Sequence, residues 1–132
     1  MITIVPLSTS SITEFIDITD IVCEAVRESG VREGLCNVFV PHTTAAVTIN
    51  ENADPSVIKD MIKRLDKMVP VDGGYQHAEG NSAAHIKSAL IGVDRNVIIE
   101  NGQLDLGKWQ GIYFCEFDGP RQRKAFIKII GK

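Results

Sequence analysis

Cysteine is scarce in this chain and poorly placed for a framework. The three residues, Cys23, Cys36 and Cys115, lie far apart and no CxxC pair occurs. That excludes both a disulfide scaffold and a zinc site built from thiolates. Each sits in an apolar run, so all three are expected reduced and partly buried. No apolar stretch approaches the ~20 residues of a membrane helix. The opening Met-Ile-Thr-Ile-Val-Pro has neither the basic region nor the apolar segment of a signal peptide. A cytoplasmic location without a membrane partner is therefore expected. Positive charge is not in excess: Lys and Arg number 14 against 17 Asp and Glu, for a net charge of −3. Nothing resembles the electrostatic footprint of a nucleic-acid binder. There is no P-loop, dinucleotide fingerprint or nucleophile elbow, and no internal repeat. What is left is 132 residues, 44% of them hydrophobic, which is the profile of one soluble domain spanning 1–132.

Patterning gives the elements. Residues 2–7 are β-branched and loosely alternating, as in a strand, and 12–18 suggest a second. Thr19 or Asp20 is expected to cap a helix carrying Ile21, Val22, Ala25 and Val26 on one face and ending at Gly30. Leu35–Val40 and Ala45–Ile49 read as strands joined through Pro41-His42-Thr43-Thr44. Asp54-Pro55 is a strong helix start, and Val57, Ile58, Met61, Ile62, Leu65 and Met68 then recur at helical spacing to about residue 69. Ser82 is expected to cap a helix to Ile91, with Ile86, Ala89 and Leu90 inward and Gly92 ending it. Strands follow at 97–100, 112–117 and 124–130. The last two are expected to form a hairpin across Asp118-Gly119-Pro120. Seven or eight strands and three helices without βαβ alternation indicate an α+β fold, a mostly antiparallel sheet or sandwich.

Polar residues concentrate in two places. Tyr75 to Lys87 holds His77, His85 and Glu79. Pro41 to Thr44 holds His42, and Asn50, Glu51, Asn52 and Asp54 follow a strand later. The fold is expected to bring these clusters together. Neutral imidazole suits zinc and similar ions, and an open catalytic site uses three protein ligands plus water. The seven-residue gap between His77 and His85 is no compact ligand pair, so spacing alone assigns nothing. Glu79 suits a general base or a group orienting a histidine. Glu116 shares a strand face with Ile112 and Phe114, so it is expected to be partly buried and to need a partner such as an arginine. Arg121, after Gly-Pro, offers its planar fork to a phosphate. Asn50, Asn52 and Asp54 share one face of an extended segment but lack the glycine and distal glutamate of a calcium loop.

Several motifs together, His42-Thr43-Thr44-Ala45, Thr48 through Pro55, Glu79-Gly80, Ala84-His85-Ile86-Lys87, Leu106 through Tyr113 and Cys115-Glu116, resemble the YjbQ family, over about residue 36 to the C-terminus. The chain departs from the family pattern at Asn81-Ser82, where acidic residues usually stand. The resemblance implies a compact α+β fold and a homotrimer with sites near subunit boundaries. It also implies a secondary thiamine-phosphate synthase activity, in which a pyrimidine diphosphate joins a thiazole phosphate and releases pyrophosphate. On that reading His42, Glu79, His85 and Glu116 serve the chemistry, and Asn50, Gln110 and Arg121 bind the phosphorylated small-molecule substrate. His42, His77 and His85 hold a divalent metal ion, zinc or magnesium. A metal-dependent hydrolase or other phosphate-handling enzyme is the first alternative. A non-catalytic homotrimer binding a small anion or metal is the second.

Overall fold

The computed structural model describes residues 2–132. Eight strands and three helices follow one another as β1 (Ile2–Ser8), β2 (Glu14–Asp17), α1 (Thr19–Ser29), β3 (Gly34–Phe39), β4 (Ala45–Glu51), α2 (Pro55–Met68), α3 (Ser82–Ile91), β5 (Asp94–Glu100), β6 (Gln103–Leu104), β7 (Gln110–Glu116) and β8 (Gln122–Gly131). A five-stranded sheet in the order β1-β8-β3-β5-β6 faces a three-stranded sheet in the order β2-β7-β4, and every pairing is antiparallel. The expected α+β class and antiparallel sandwich are present.

The inner faces of both sheets share one core. Val5, Val38, Val97 and Ile127 come from one sheet, Val47, Ile112 and Phe114 from the other. Helix α1 inserts Val22, Ala25 and Val26 into that core. On the far side of the three-stranded sheet, Ala46, Tyr113, Cys115 and Phe117 form a second cluster, covered by Ile58 and Leu65 of α2 and by Ala84 and Ile91 of α3. Strand β7 is thus packed on both faces, and Gly111 through Phe117 are all buried. That explains its near-continuous apolar run, Ile112 to Cys115: both faces are covered.

Four local expectations need correction. The last two strands form no hairpin: β7 lies in the three-stranded sheet and β8 in the five-stranded one. Residues 118–121 carry the chain between sheets, pinned by Gly119 N–H donating to the Ile12 carbonyl and Thr9 N–H donating to the Arg121 carbonyl. Helix α1 has Ile18 at its N-cap without a side-chain cap bond; Asp17 instead accepts from the Thr19 N–H at 2.9 Å. Helix α3 is capped by position Asn81, one residue before Ser82, and it is rotated from the expected phase. Ala83, Ala84, Lys87 and Ser88 face in, while Ile86, Ala89 and Leu90 face out. Small alanines let it approach β4, where the Ser88 hydroxyl donates to the Ala45 carbonyl at 2.6 Å. Finally, Cys23 is exposed, although Cys36 and Cys115 are buried; all three thiols are free. The Asp54 start of α2 is as expected, with its carboxylate accepting from the Ser56 N–H. Among the described residues no helix is long and apolar enough to cross a membrane.

Candidate functional site

One cavity of about 650 Å³ opens where the β3–β4 connection, the start of α3 and the β7–β8 connection meet. It is lined by all three histidines, His42, His77 and His85, and by Glu79. Asn81, Asp118, Arg121 and Arg123 line it too. Pro41 to Thr44 and the Tyr75–Lys87 stretch therefore do converge, without the Asn50–Asp54 part of the second cluster. They converge because β4 begins beside the end of β7, with Ala45 opposite Glu116, and Phe117 N–H donates to the Thr44 carbonyl.

His77 and His85 stand edge to face with ring centres 5.4 Å apart. His77 precedes α3 in the loop and His85 lies one turn into the helix, so the helix start folds one ring against the other. The Glu79 carboxylate lies 4.0 Å from His77 Nε2, at the limit of an ion pair, and both side chains are substantially exposed. Neither ring is engaged in a hydrogen bond among the described residues. His42 differs. Its Nε2 accepts the Lys124 N–H at 3.0 Å. Accepting that bond requires an unprotonated Nε2, so the neutral ring carries its proton on Nδ1. Burial and the nearby Arg123 charge hold its pKa below the ordinary 6.5.

Glu116 is fully buried. Its Oε1 accepts from the Thr9 hydroxyl at 2.8 Å and Arg123 Nε at 2.7 Å. Its Oε2 accepts from Arg123 Nη2 at 2.5 Å and from the Asp118 N–H at 3.0 Å. Burial alone would raise its pKa, but these bonds and the arginine charge outweigh it and hold the carboxyl below the usual range. Arg123 Nη2 also donates to the Thr44 hydroxyl at 2.8 Å, which fixes the loop carrying His42. Arg121 is held differently: Nε donates to the Asp118 carbonyl and Nη2 to the Asp118 carboxylate, with half the side chain exposed. Burial raises the Asp118 pKa, yet the bonds from Asn81 and Arg121 win and lower it.

Asn50 and Gln110 do not reach the cavity. The β4–β7 register puts them five or six residues along from Ala45 and Glu116, about 17–20 Å away. Each is spent locally: Asn50 Oδ1 accepts from the Glu51 N–H, and Gln110 Oε1 from the Gly107 N–H. Asn52 bonds Asp17 and Asp54 caps α2, so the shared carboxamide face of 50–54 forms no cation site. Among the described residues, no three His, Cys, Asp or Glu side chains are assembled to hold a metal ion. Sequence reasoning missed Arg123 as a cavity residue. The one available signal was strand alternation, which puts Arg123 on the same face of β8 as Ala125 and Ile127.

The family model described as UPF0047 protein YjbQ-like matches residues 3–132. The UPF0047 protein YugU of Bacillus subtilis is 50% identical over 132 residues, covering 99% of this chain and 100% of its own. A UPF0047 protein of Methanocaldococcus jannaschii is also 50% identical, over 125 residues, 95% of this chain and 91% of its own. Among solved structures, an uncharacterized YjbQ/UPF0047 protein from Clostridium acetobutylicum superposes with a TM-score of 0.96 at 59% identity, covering 97% and 99% of the two chains. A YbjQ-like protein of unknown function from Sulfolobus solfataricus gives 0.97 at 31% identity, covering 100% and 97%. These names overturn the thiamine-phosphate synthase expectation. The relatives just described are named only as UPF0047 or YjbQ-like proteins, and no synthase activity accompanies the likeness. They lend no support to the hydrolase or non-catalytic trimer alternatives either.

Proposed function

The chain belongs to the YjbQ-like UPF0047 family, and from that premise we propose that its cavity is an open metal site that takes a small oxygen-bearing molecule. The single observation that carries this reading is the juxtaposition of His77 and His85, two imidazoles without hydrogen-bond partners, on one wall of a cavity. Two imidazoles on one tetrahedral zinc, each bound at about 2.0–2.1 Å, have ring centres about 5 Å apart. The observed 5.4 Å fits that separation. Nitrogen donors favour zinc-like ions over magnesium, which prefers oxygen. Glu79 lies 4.0 Å from His77 Nε2 but is not assembled with the two rings as a third ligand, so the protein's donors here are the two imidazoles. His42 keeps its Nε2 on the Lys124 amide and presents Nδ1–H as a donor. When bound, such an ion supplies Lewis-acid polarisation of a ligand oxygen. The protein's part is to hold the two rings and to orient the ligand through His42 and Arg123.

The test is elemental analysis of untagged protein beside His77→Ala, His85→Ala and His42→Ala. The expected result is about one transition-metal ion per chain, lost in the first two variants and retained in the third. A full complement in both His77→Ala and His85→Ala would overturn the reading.

We also propose that the chain works as a homotrimer. The support is the outer face of the five-stranded sheet, which no element among the described residues covers. Ile2 and Ile4 of β1, Leu35 and Phe39 of β3, Ile98 of β5 and Ile130 of β8 are all exposed on it. Lys124 and Lys128 lie toward the β1–β8 edge, Asp94 and Glu100 on β5 toward the other. Opposite edges of neighbouring copies are therefore complementary in charge. Phe39 belongs both to this face and to the cavity lining.

A further inference from the structure

Arg123 is only 8% exposed, yet it lines the cavity. Its donors divide cleanly. Nε and Nη2 are spent on Glu116 and Thr44. Nη1 takes part in no hydrogen bond among the described residues. The only fully buried side-chain nitrogen or oxygen without a partner there is Asn81 Oδ1. Arg123 Nη1 is therefore not sealed in, and it is the one donor that this cavity-lining side chain leaves unspent. Glu116, each of whose oxygens accepts two hydrogen bonds, keeps the guanidinium plane from turning.

We infer that Arg123 is an oxyanion anchor on the cavity floor, with Glu116 as its positioning residue and His42 Nδ1–H as a second donor. The class of ligand group is a carboxylate or a phosphoryl oxygen. A guanidinium whose other donors are already fixed loses little freedom when it binds. Because Glu116 balances its charge, selectivity comes from directed N–H groups rather than from net positive charge. Arg121, the arginine that sequence reasoning favours for phosphate, is half exposed and tied to Asp118, which makes it a weaker candidate. The inference rests on the cavity being a ligand site, as proposed above, but not on the metal.

The experiment titrates inorganic phosphate, and separately acetate, into chelator-treated wild-type protein. It follows the arginine Nε–H and histidine resonances by ¹⁵N NMR. One of the two ions is expected to shift the Arg123 Nε–H and His42 signals saturably, and which one does so distinguishes phosphoryl from carboxylate ligands. Arg123→Lys, which keeps the charge opposite Glu116 but not the fork, is expected to bind roughly ten- to hundredfold more weakly, the loss for a charge-assisted hydrogen bond. Arg121→Ala is expected to change binding by less than about threefold. Saturation that leaves Arg123 unmoved, greater loss in Arg121→Ala than in Arg123→Lys, or no binding of either ion would each overturn the inference. If Arg123→Lys does not fold, the wild-type titration still decides. Zinc binding without any Arg123 response would sink this inference and leave the metal reading intact. An Arg123 response in protein that takes no metal would do the reverse.

Discussion

At the scale of single residues, the Glu116–Arg123 pair is the most constrained feature of the site. Alternation in β7 placed Glu116 on a face with Ile112 and Phe114, so its burial and its need for an arginine were legible. Which arginine was not, because the choice depends on β8 crossing behind β7 in the other sheet. Removing one member of a buried pair strands the other charge. Glu116→Gln is expected to cost about 3–5 kcal/mol, measured by urea denaturation at neutral pH. The pH dependence has a definite sign. Glu116 is held below its ordinary value of 4.5 in the folded state, so the unfolded chain binds its proton more readily. Its contribution is fully present above about 4.5 and is lost as pH falls through the lower folded value. Wild-type stability should therefore drop more steeply with acid below 4.5 than that of Glu116→Gln. Parallel slopes would show that the carboxylate is not held this way.

At the scale of elements, α2 was the most legible and α3 the least. The Asp54-Pro55 start and the apolar stripe of α2 are local, and both appear where expected, although no residue of α2 is fully buried. In α3 the apolar residues Ile86 and Leu90 face out, and Lys87 faces in, paired with Asp66 of α2 and stacked toward Phe117. A period-based reading picks the wrong face because the helix is placed by its small residues and by the Ser88 bond to β4. Lys87 has its stem buried while Asp66 remains half exposed. Lys87→Met keeps the stem packing and frees a carboxylate that water can solvate, so it should stay within about 1 kcal/mol of wild type. Lys87→Ala, which loses the packing, should be clearly less stable by thermal denaturation. Equal losses in the two variants would mean that the ion pair, not the stem, holds α3 in place.

At the scale of the whole molecule, the uncovered sheet face is larger than scattered surface residues explain. Six large apolar side chains share it, grouped on either side of a polar row of Lys128, Asn37 and Asn96, and exposed apolar patches rimmed by polar residues mark interfaces. The proposed trimer predicts a solution mass of three times 14.5 kDa. Ile98→Asp, which puts a charge at the β5 end of a row formed with Leu35 and Ile130, should shift the mass to that of one chain without altering the far-ultraviolet spectrum. Light scattering that finds a monomeric wild type, or a trimeric Ile98→Asp, would remove the assembly proposal.

The sequence by itself determined the fold class, the α2 boundaries and the family. Each of these follows from local period, capping chemistry or motif content within a few tens of residues. Only the tertiary structure decided the rest. The β7–β8 crossing between sheets separates two strands that their turn residues would have joined. It buries Glu116 against Arg123, sends Arg121 to the surface with Asp118, and leaves Asn50 and Gln110 at the far end of β4 and β7. Those outcomes depend on contacts between residues up to about a hundred positions apart, such as Thr9 with Arg121 and His42 with Lys124. No local pattern encodes such contacts, because their free energy is realised only when both sheets are packed.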